Sequence, residues 1–185
     1  GDSKVVARDV NILNGSGIVT ASLGIGNSGD VSIEAANVLT LEGRNINGGS
    51  NFIASTVITL SEQLAEQFGL PDFVGLGDGG NIHLQASQIN LAAGSQVATS
   101  TLFSTANAGD IQINAVDSLI ATNSSVIQSS TSGQGNAGNI GIVTANLGVL
   151  NGAQLVASTF GEGNAGSVII EASERVTFDG ISDDG

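Results

Sequence analysis

The single histidine and the spaced carboxylates are the side chains best suited to acid–base chemistry. His83 has no second histidine with which to bind a metal, and its alternating neighbours predict a solvent-exposed strand position. Asp30 and Asp110 are equivalent in a repeat, but Asn81 stands between them, so we expect a separation of two repeats, or ~10 Å. That is too far for a shared proton and at the edge of the inverting-glycosidase range. We expect no catalytic site and no enzyme activity.

Turns rich in oxygen ligands are the features that could hold a metal ion. Segments 77–80 and 179–184 combine aspartate with glycine, and calcium prefers such oxygen ligands. The nine-residue repeat of calcium-binding β-rolls is missing, and Asp-Gly turns also form without metal. The chain has no cysteine, which excludes thiolate-bound metals. We expect no metal site and no cofactor, with calcium binding as the open alternative.

The net charge and the hydropathy of the chain argue against nucleic acid as a partner and against a membrane-spanning helix. The chain has 185 residues, with 17 acidic and 4 basic ones, and carries a net charge of −13 at pH 7. So few cations cannot neutralise a phosphate backbone, and we therefore expect no nucleic acid. No apolar run approaches the ~20 residues of a membrane-spanning helix, and no signal peptide opens the sequence. The 41% hydrophobic content is too high for a disordered chain.

A repeat determines how these side chains are positioned. One pattern recurs five times: a glycine, then Asp, Asn or Ser, then two aliphatic residues separated by one position. The copies begin at Gly29, Gly80, Gly109, Gly138 and Gly166. Their spacing is close to 29 residues, except for one interval of 51. The aliphatic positions alternate, and many are β-branched, which predicts half-buried strands. Two further apolar segments follow in each copy, so we expect three short strands per repeat.

The corners of the repeat carry two kinds of residue. One corner predicts a left-handed turn, because it holds residues that tolerate positive φ. These residues are Gly15, Gly49, Gly94, Asn123 and Gly152. The other corner should form a ladder of stacked polar side chains along the array. Its members are Asn27, Asp78, Asn107, Asn136 and Asn164.

Together these features predict an all-β fold, a right-handed parallel β-helix with three faces and about five coils of ~29 residues. The pattern starts and ends in mid-coil, so we expect residues 1–185 to be a single β-helix fragment of a longer repeat array. Residues 57–77 form the one insertion. Within it, capping-box spacing and the apolar positions Leu60, Leu64 and Phe68 predict a short helix.

The third strand of each repeat predicts a packing or partner surface. The residue after each inward anchor is apolar and should face outward. This column consists of Val19, Ile53, Ala98, Ile127 and Val156. We expect the helix, through Leu60, Leu64 and Phe68, to cover part of it. A partner or a neighbouring chain would otherwise bind there.

The string GAQLVASTFGEGNAG at 152–166 resembles the repeats of large exoproteins of the filamentous haemagglutinin type, especially cyanobacterial ones. Related strings occur at 135–140 and 106–111. The resemblance implies export through a dedicated outer-membrane pore (two-partner secretion), a secreted or cell-surface location, and an adhesive role toward an unknown cell-surface or matrix receptor. The secretion domain of that family has no counterpart here.

Two functions follow as expectations. The first is a structural or adhesive repeat segment of such an exoprotein. The second is a β-helix that binds or processes carbohydrate. The second function calls for aromatic platforms and clustered acids, whereas the six phenylalanines of this chain are scattered along the sequence. The sequence therefore favours the first.

Overall fold

The computed structural model describes residues 1–23, 26–58, 77–102 and 105–180. Within them the chain forms eleven strands and no helix. The strands are β1 (Ser3–Leu13), β2 (Gly17–Ser22), β3 (Val31–Glu42), β4 (Phe52–Ile58), β5 (Ile82–Leu91), β6 (Gln96–Leu102), β7 (Ile111–Ala121), β8 (Val126–Thr131), β9 (Ile140–Leu150), β10 (Gln154–Thr159) and β11 (Val168–Asp179).

The strands alternate between two parallel sheets. The odd-numbered strands form a six-stranded sheet in chain order, and the even-numbered strands form a five-stranded sheet in chain order. Each coil up to β10 therefore contributes one strand to each sheet and stacks on the coil before it, and β11 adds a sixth strand to the first sheet. The predicted all-β solenoid of about five coils is confirmed. Among the described residues there is no helix with the length and hydrophobicity that a membrane crossing requires.

The core is built from columns of equivalent side chains. The first aliphatic column runs in register through Val31, Ile82, Ile111, Ile140 and Val168. The first four are at most 1% exposed. Val168 is 39% exposed because it lies on the last described coil, with no further coil to cover it. The predicted register is confirmed, and the alternation of inward and outward residues follows from the pleat of a strand.

The predicted first and second strands of each coil are one long strand with a bend. The register shifts at this bend in every pair of the six-stranded sheet, between Ala115 and Ser118 for example. Backbone pairing continues on both sides of the shift, so the bend makes a corner without ending the strand. The three predicted faces thus arise from two sheets, one of which is bent.

The described residues contain one further copy of the repeat strand besides the five that the sequence pattern identified. Residues 1–7 form the additional copy, and β1 pairs with β3 from Ser3 opposite Val31 onward. The sequence pattern missed this copy because Ser3, a polar residue, occupies the first anchor position.

The long interval contains two additions rather than one. Strand β4 begins 23 residues after Gly29, whereas β6, β8 and β10 begin 16 or 17 residues after their glycines. The excess before β4 forms a small excursion, closed by an antiparallel bridge between Arg44 and Ser50 and by the Asn45 side chain, which accepts from the Gly49 N–H at 2.8 Å. The rest of the excess follows β4. The predicted helix with Leu60, Leu64 and Phe68 lies outside the described residues.

A substitution at Ile111 tests whether the core columns hold the coils together. Ile111→Ala removes a side chain that is 0% exposed, so we expect the free energy of unfolding to fall by about 2–4 kcal/mol in urea titration. The neighbouring Gln112 faces solvent on the same strand, and Gln112→Ala should change stability by less than about 0.5 kcal/mol. Equal losses for the two variants would contradict the register.

Candidate functional site

The five predicted corner residues lie on one line along the rod. From Asp78 onward, each backbone N–H donates to the side-chain Oδ1 of the equivalent residue one coil earlier. The distances are 3.0 Å from Asp78 N to Asn27, 2.8 Å from Asn107 N to Asp78, 2.9 Å from Asn136 N to Asn107, and 2.8 Å from Asn164 N to Asn136. Side-chain amides add bonds of 3.1 Å between the last three residues. We call this the corner ladder. It ties these five described coils together outside the sheets.

A second ladder follows the position after the repeat glycine. Its residues are Asp2, Asp30, Asn81, Asp110, Asn139 and Ser167, with N–H to Oδ1 distances of 2.6–3.0 Å. From their spacing in the sequence, Asp30 and Asp110 were expected to be a distant carboxylate pair. Each instead accepts an N–H from the following coil, which gives it a structural role. The recurring Asp, Asn or Ser at this position was the signal that could have revealed the ladder.

The repeat glycines stack with their backbones in close approach. A Cβ on Gly109 would lie 2.1 Å from the carbonyl oxygen of Gly80, and one on Gly138 would lie 2.1 Å from that of Gly109. No side chain fits at such a distance. Inside the corner, buried hydroxyls bind the same backbone: Ser129 Oγ donates to Gly109 O at 3.0 Å and accepts from Gly138 N at 2.8 Å. Backbone and buried hydroxyl groups therefore surround the repeat glycines inside this corner.

The left-handed corner agrees with prediction at four of five positions. Positive φ values occur at Gly15 (+79°), Gly94 (+72°), Asn123 (+52°) and Gly152 (+76°). Gly49 is the exception, because the excursion before β4 replaces the ordinary turn in its coil. The fully buried Asn51 supports that coil instead: its Oδ1 accepts from the Gly15 N–H at 2.8 Å.

The prediction of which residues of the five-stranded sheet face outward was wrong at two positions. Ile53 and Ile127 are 0% exposed and belong to the core, in register with Val97. In both strands an apolar residue, Phe52 or Val126, precedes the anchor. Two adjacent apolar residues leave the phase of alternation ambiguous in the sequence.

Three members of the predicted column do face outward. Val19 is 47% exposed, Val156 is half-buried, and Ala98 is outward in register but only 8% exposed. The proposed covering residues Leu60, Leu64 and Phe68 lie outside the described residues, so the covering stays a prediction.

The bend of the six-stranded sheet forms a shallow outer groove. One cavity of about 480 Å³ is lined by Asn114, Val143 and Glu171, among others. A second, of about 230 Å³, is lined by Val6, Glu34 and Gln85. All six of these residues occupy one outward column, one residue per coil. We call this column the bend groove. It combines amides, carboxylates and valines.

An exposed cluster of opposite charges lies near the β1 end of the rod. Lys4 Nζ lies 2.8 Å from Glu34 Oε1, and His83 is exposed on the adjacent coil. The hydrogen bond from Lys4, together with its charge and that of His83, lowers the pKa of Glu34 below the ordinary 4.5. No described set of three or more His, Asp or Glu could hold a metal ion. Asp78, a candidate calcium ligand, has its Oδ1 occupied by the ladder.

Comparison with known proteins adds no assignment: no protein-family model matches the chain, and neither the curated proteins nor the solved structures contain a significant match.

The glycine stack can be tested with a matched pair of alanine substitutions. Gly109→Ala forces a Cβ against Gly80 O, so we expect a loss of about 1–3 kcal/mol in the free energy of unfolding, or more. Gly26 has open space around its Cβ position, and Gly26→Ala should leave stability nearly unchanged. Urea titration of both variants makes the comparison. Similar stability of the two proteins would refute the requirement for glycine.

The corner ladder can be tested at Asn136. Asn136→Ala removes the acceptor for the Asn164 N–H, so we expect a stability loss of about 1 kcal/mol and faster hydrogen exchange at the Asn164 amide. Asn136→Asp keeps an acceptor oxygen, as Asp78 does, and should retain protection of that amide. An unchanged exchange rate in the alanine variant would mean that the ladder bond contributes little.

The Lys4–Glu34 pair predicts a pH dependence of defined sign. Because the pKa of Glu34 is lowered in the folded protein, the pair stabilises the fold above the ordinary pKa of about 4.5. This stabilisation is lost as the pH falls through the lower folded value. Lys4→Gln should raise the pKa of Glu34 in an NMR titration, whereas Arg8→Gln should not. A Glu34 pKa that is equal in wild type and Lys4→Gln would exclude the pairing.

Proposed function

We propose that this chain is a structural rod and adhesive segment of a secreted cell-surface exoprotein of the filamentous haemagglutinin type. The observation that carries the proposal is the continuity of both ladders along the described coils, with one bond from each coil to the next. A chain built this way extends in one direction and presents the same outward columns repeatedly. A spacer or an adhesive stalk needs these properties.

The corner strings that resemble the exoprotein family support the proposal. The asparagines of these strings, Asn107, Asn136 and Asn164, are the corner-ladder residues. The repeat glycines within these strings, Gly109, Gly138 and Gly166, are members of the tight glycine stack. The motif behind the resemblance is therefore the part of the repeat on which coil stacking depends. Export through a dedicated outer-membrane pore and a surface location belong to the same proposal.

The chemistry of the exposed faces favours binding over catalysis. The described carboxylates near the repeat glycines accept backbone N–H groups, and His83 stands apart from any second histidine. Adhesion needs only a stable surface with many weak contacts. Equivalent residues one coil apart, at about 4.8 Å, provide a repeating surface of that kind.

The bend groove favours a second candidate, a β-helix that binds carbohydrate. Glu34, Gln85 and Asn114 follow one another on successive coils and present planar polar groups along the groove. Such groups hydrogen-bond hydroxyls, and a linear glycan could lie parallel to the rod. The net charge of −13 favours a neutral glycan over an acidic one.

The test is adhesion of beads coated with the 185-residue protein to cultured cells. We expect more adhesion than with albumin-coated beads, a clear reduction with Gly109→Ala, which disturbs coil stacking, and no reduction with Gly26→Ala. Adhesion equal to the albumin control would overturn the adhesive role. Adhesion that a soluble neutral glycan abolishes, and that Asn114→Ala weakens, would support the carbohydrate candidate instead.

A further inference from the structure

The two cavities of the bend groove lie on one line along the rod. Gln85 lines the smaller cavity and Asn114 lines the larger one, and these residues are paired in register on β5 and β7. The groove column therefore passes from one cavity to the other in a single coil step. An elongated ligand that lies parallel to the rod axis would contact the coils one after another.

The polar side chains of the groove have unused hydrogen-bonding capacity. Gln85, Asn114 and Glu171 are exposed, and none of their side chains forms a hydrogen bond or an ion pair with the described part of the chain. Ladder residues of the same type differ, because the Oδ1 atoms of Asn81 and Asn136 accept an N–H from the next coil. The groove amides therefore retain both donors and acceptors for a ligand, and hydroxyl groups can use both.

Apolar contacts lie between these polar groups. Val143 is 48% exposed and stands between Asn114 and Glu171 in the groove column. Val116 is 63% exposed and lines the same cavity. The C–H groups of a sugar ring can pack against the valines while its hydroxyls bind the neighbouring polar side chains. The groove thus offers both kinds of contact that a sugar ring makes.

The coil spacing selects the shape of the ligand. Equivalent residues on successive coils are ~4.8 Å apart. A chain of pyranose rings joined through equatorial bonds is straight and advances by about one coil spacing per sugar, whereas an axial bond at each linkage makes the chain curve. An extended peptide presents groups on one side only every ~6.7 Å, so it would fall out of step with the coils. The spacing therefore favours a straight glycan over a peptide.

The charges in and around the groove select an uncharged ligand. Glu34 and Glu171 both lie in the groove column, and Lys4 pairs with Glu34 at 2.8 Å. No described cation pairs with Glu171, and the chain as a whole carries a net charge of −13. A glycan with carboxylate or sulfate groups would be repelled by this field.

From the unused amides, the valines between them and the coil spacing, we propose that the bend groove binds an uncharged glycan whose sugars are joined through equatorial bonds, with one sugar on each coil. The inference rests on the carbohydrate candidate of the proposed function, and it adds the linkage, the charge and the register of the ligand. Each coil contributes a small number of contacts, so affinity grows with the number of sugars that lie in the groove.

Titration of the isotope-labelled 185-residue protein with two glucose hexamers, followed by NMR, tests the linkage. The β-1,4-linked hexamer is straight, and the α-1,4-linked hexamer is the matched control because it has the same composition but is curved. We expect the β-linked hexamer to bind about tenfold more tightly and to shift the backbone amide signals of Gln85, Asn114 and Val143. The β-linked trimer should bind more weakly than the β-linked hexamer, because it contacts half as many coils.

Substitutions test the position of the ligand. Asn114→Ala and Gln85→Ala each remove one hydrogen-bonding amide, so each should weaken binding of the β-linked hexamer about three- to tenfold. Gln112→Ala is the matched control. It removes an exposed amide two residues before Asn114, outside the lining of both cavities, and should bind like the wild type. Circular dichroism establishes that all variants are folded.

Three results would overturn the inference: no binding of the β-linked hexamer, equal binding of the two hexamers, or binding that neither Asn114→Ala nor Gln85→Ala weakens. These results are distinct from a failure of the proposed function. Equal binding of both hexamers that Asn114→Ala weakens would retain the carbohydrate candidate without this register. Bead adhesion without glycan binding would retain the adhesive role alone.

Discussion

The close approach of successive backbones at the repeat glycine is the constraint on which the rest of the structure depends. With about 2 Å between a hypothetical Cβ on Gly109 and the carbonyl oxygen of Gly80, any side chain there would separate the coils. Separation would also lengthen the sheet hydrogen bonds on both sides of the corner, because the same coil spacing serves all of them. The hydroxyls of Thr99 and Ser129 then satisfy the carbonyl of Gly109 from inside. One small residue per coil thus fixes the spacing of the core columns.

The residue types in the two ladders also limit the repulsion between stacked carboxylates. In the second ladder Asp30, Asn81, Asp110 and Asn139 alternate carboxylate with amide, and in the corner ladder Asp78 lies between Asn27 and Asn107. Adjacent carboxylates about 4.8 Å apart would repel each other, whereas an intervening amide accepts the same N–H without charge. Among the described residues, no buried side-chain nitrogen or oxygen lacks a hydrogen-bond partner. From Asp30 onward, the ladders therefore place no two carboxylates side by side; Asp2 and Asp30, at the start of the second ladder, are the exception among the described residues.

The fold was predictable because the sequence repeats, and the predictions failed where a single copy departs from the repeat. The Ile111 column and the corner ladder were predictable because every copy repeats the same residue types at the same spacing. The sequence did not predict that Ile53 faces inward, because the preceding Phe52 is also apolar. Only the pairing of Ile53 with Val97 shows which of the two belongs to the core. The copy at residues 1–7 was missed because Ser3 replaces an aliphatic anchor. The bend groove was missed because it arises from a register shift, which leaves no compositional mark.

A solenoid separates the residues that specify stacking from those free to specify contacts. Each coil touches only its neighbours, so the glycine, ladder and core positions must satisfy the same rules in every copy. The outward positions are free of this packing constraint, and their residue types vary from coil to coil. The bend-groove column, for example, changes from Val6 to Glu34, Gln85 and Asn114. Specific recognition can therefore develop on the outward columns without altering the fold. In the bend groove, for example, Val143 lies between Asn114 and Glu171, so an apolar contact is flanked by polar ones on neighbouring coils.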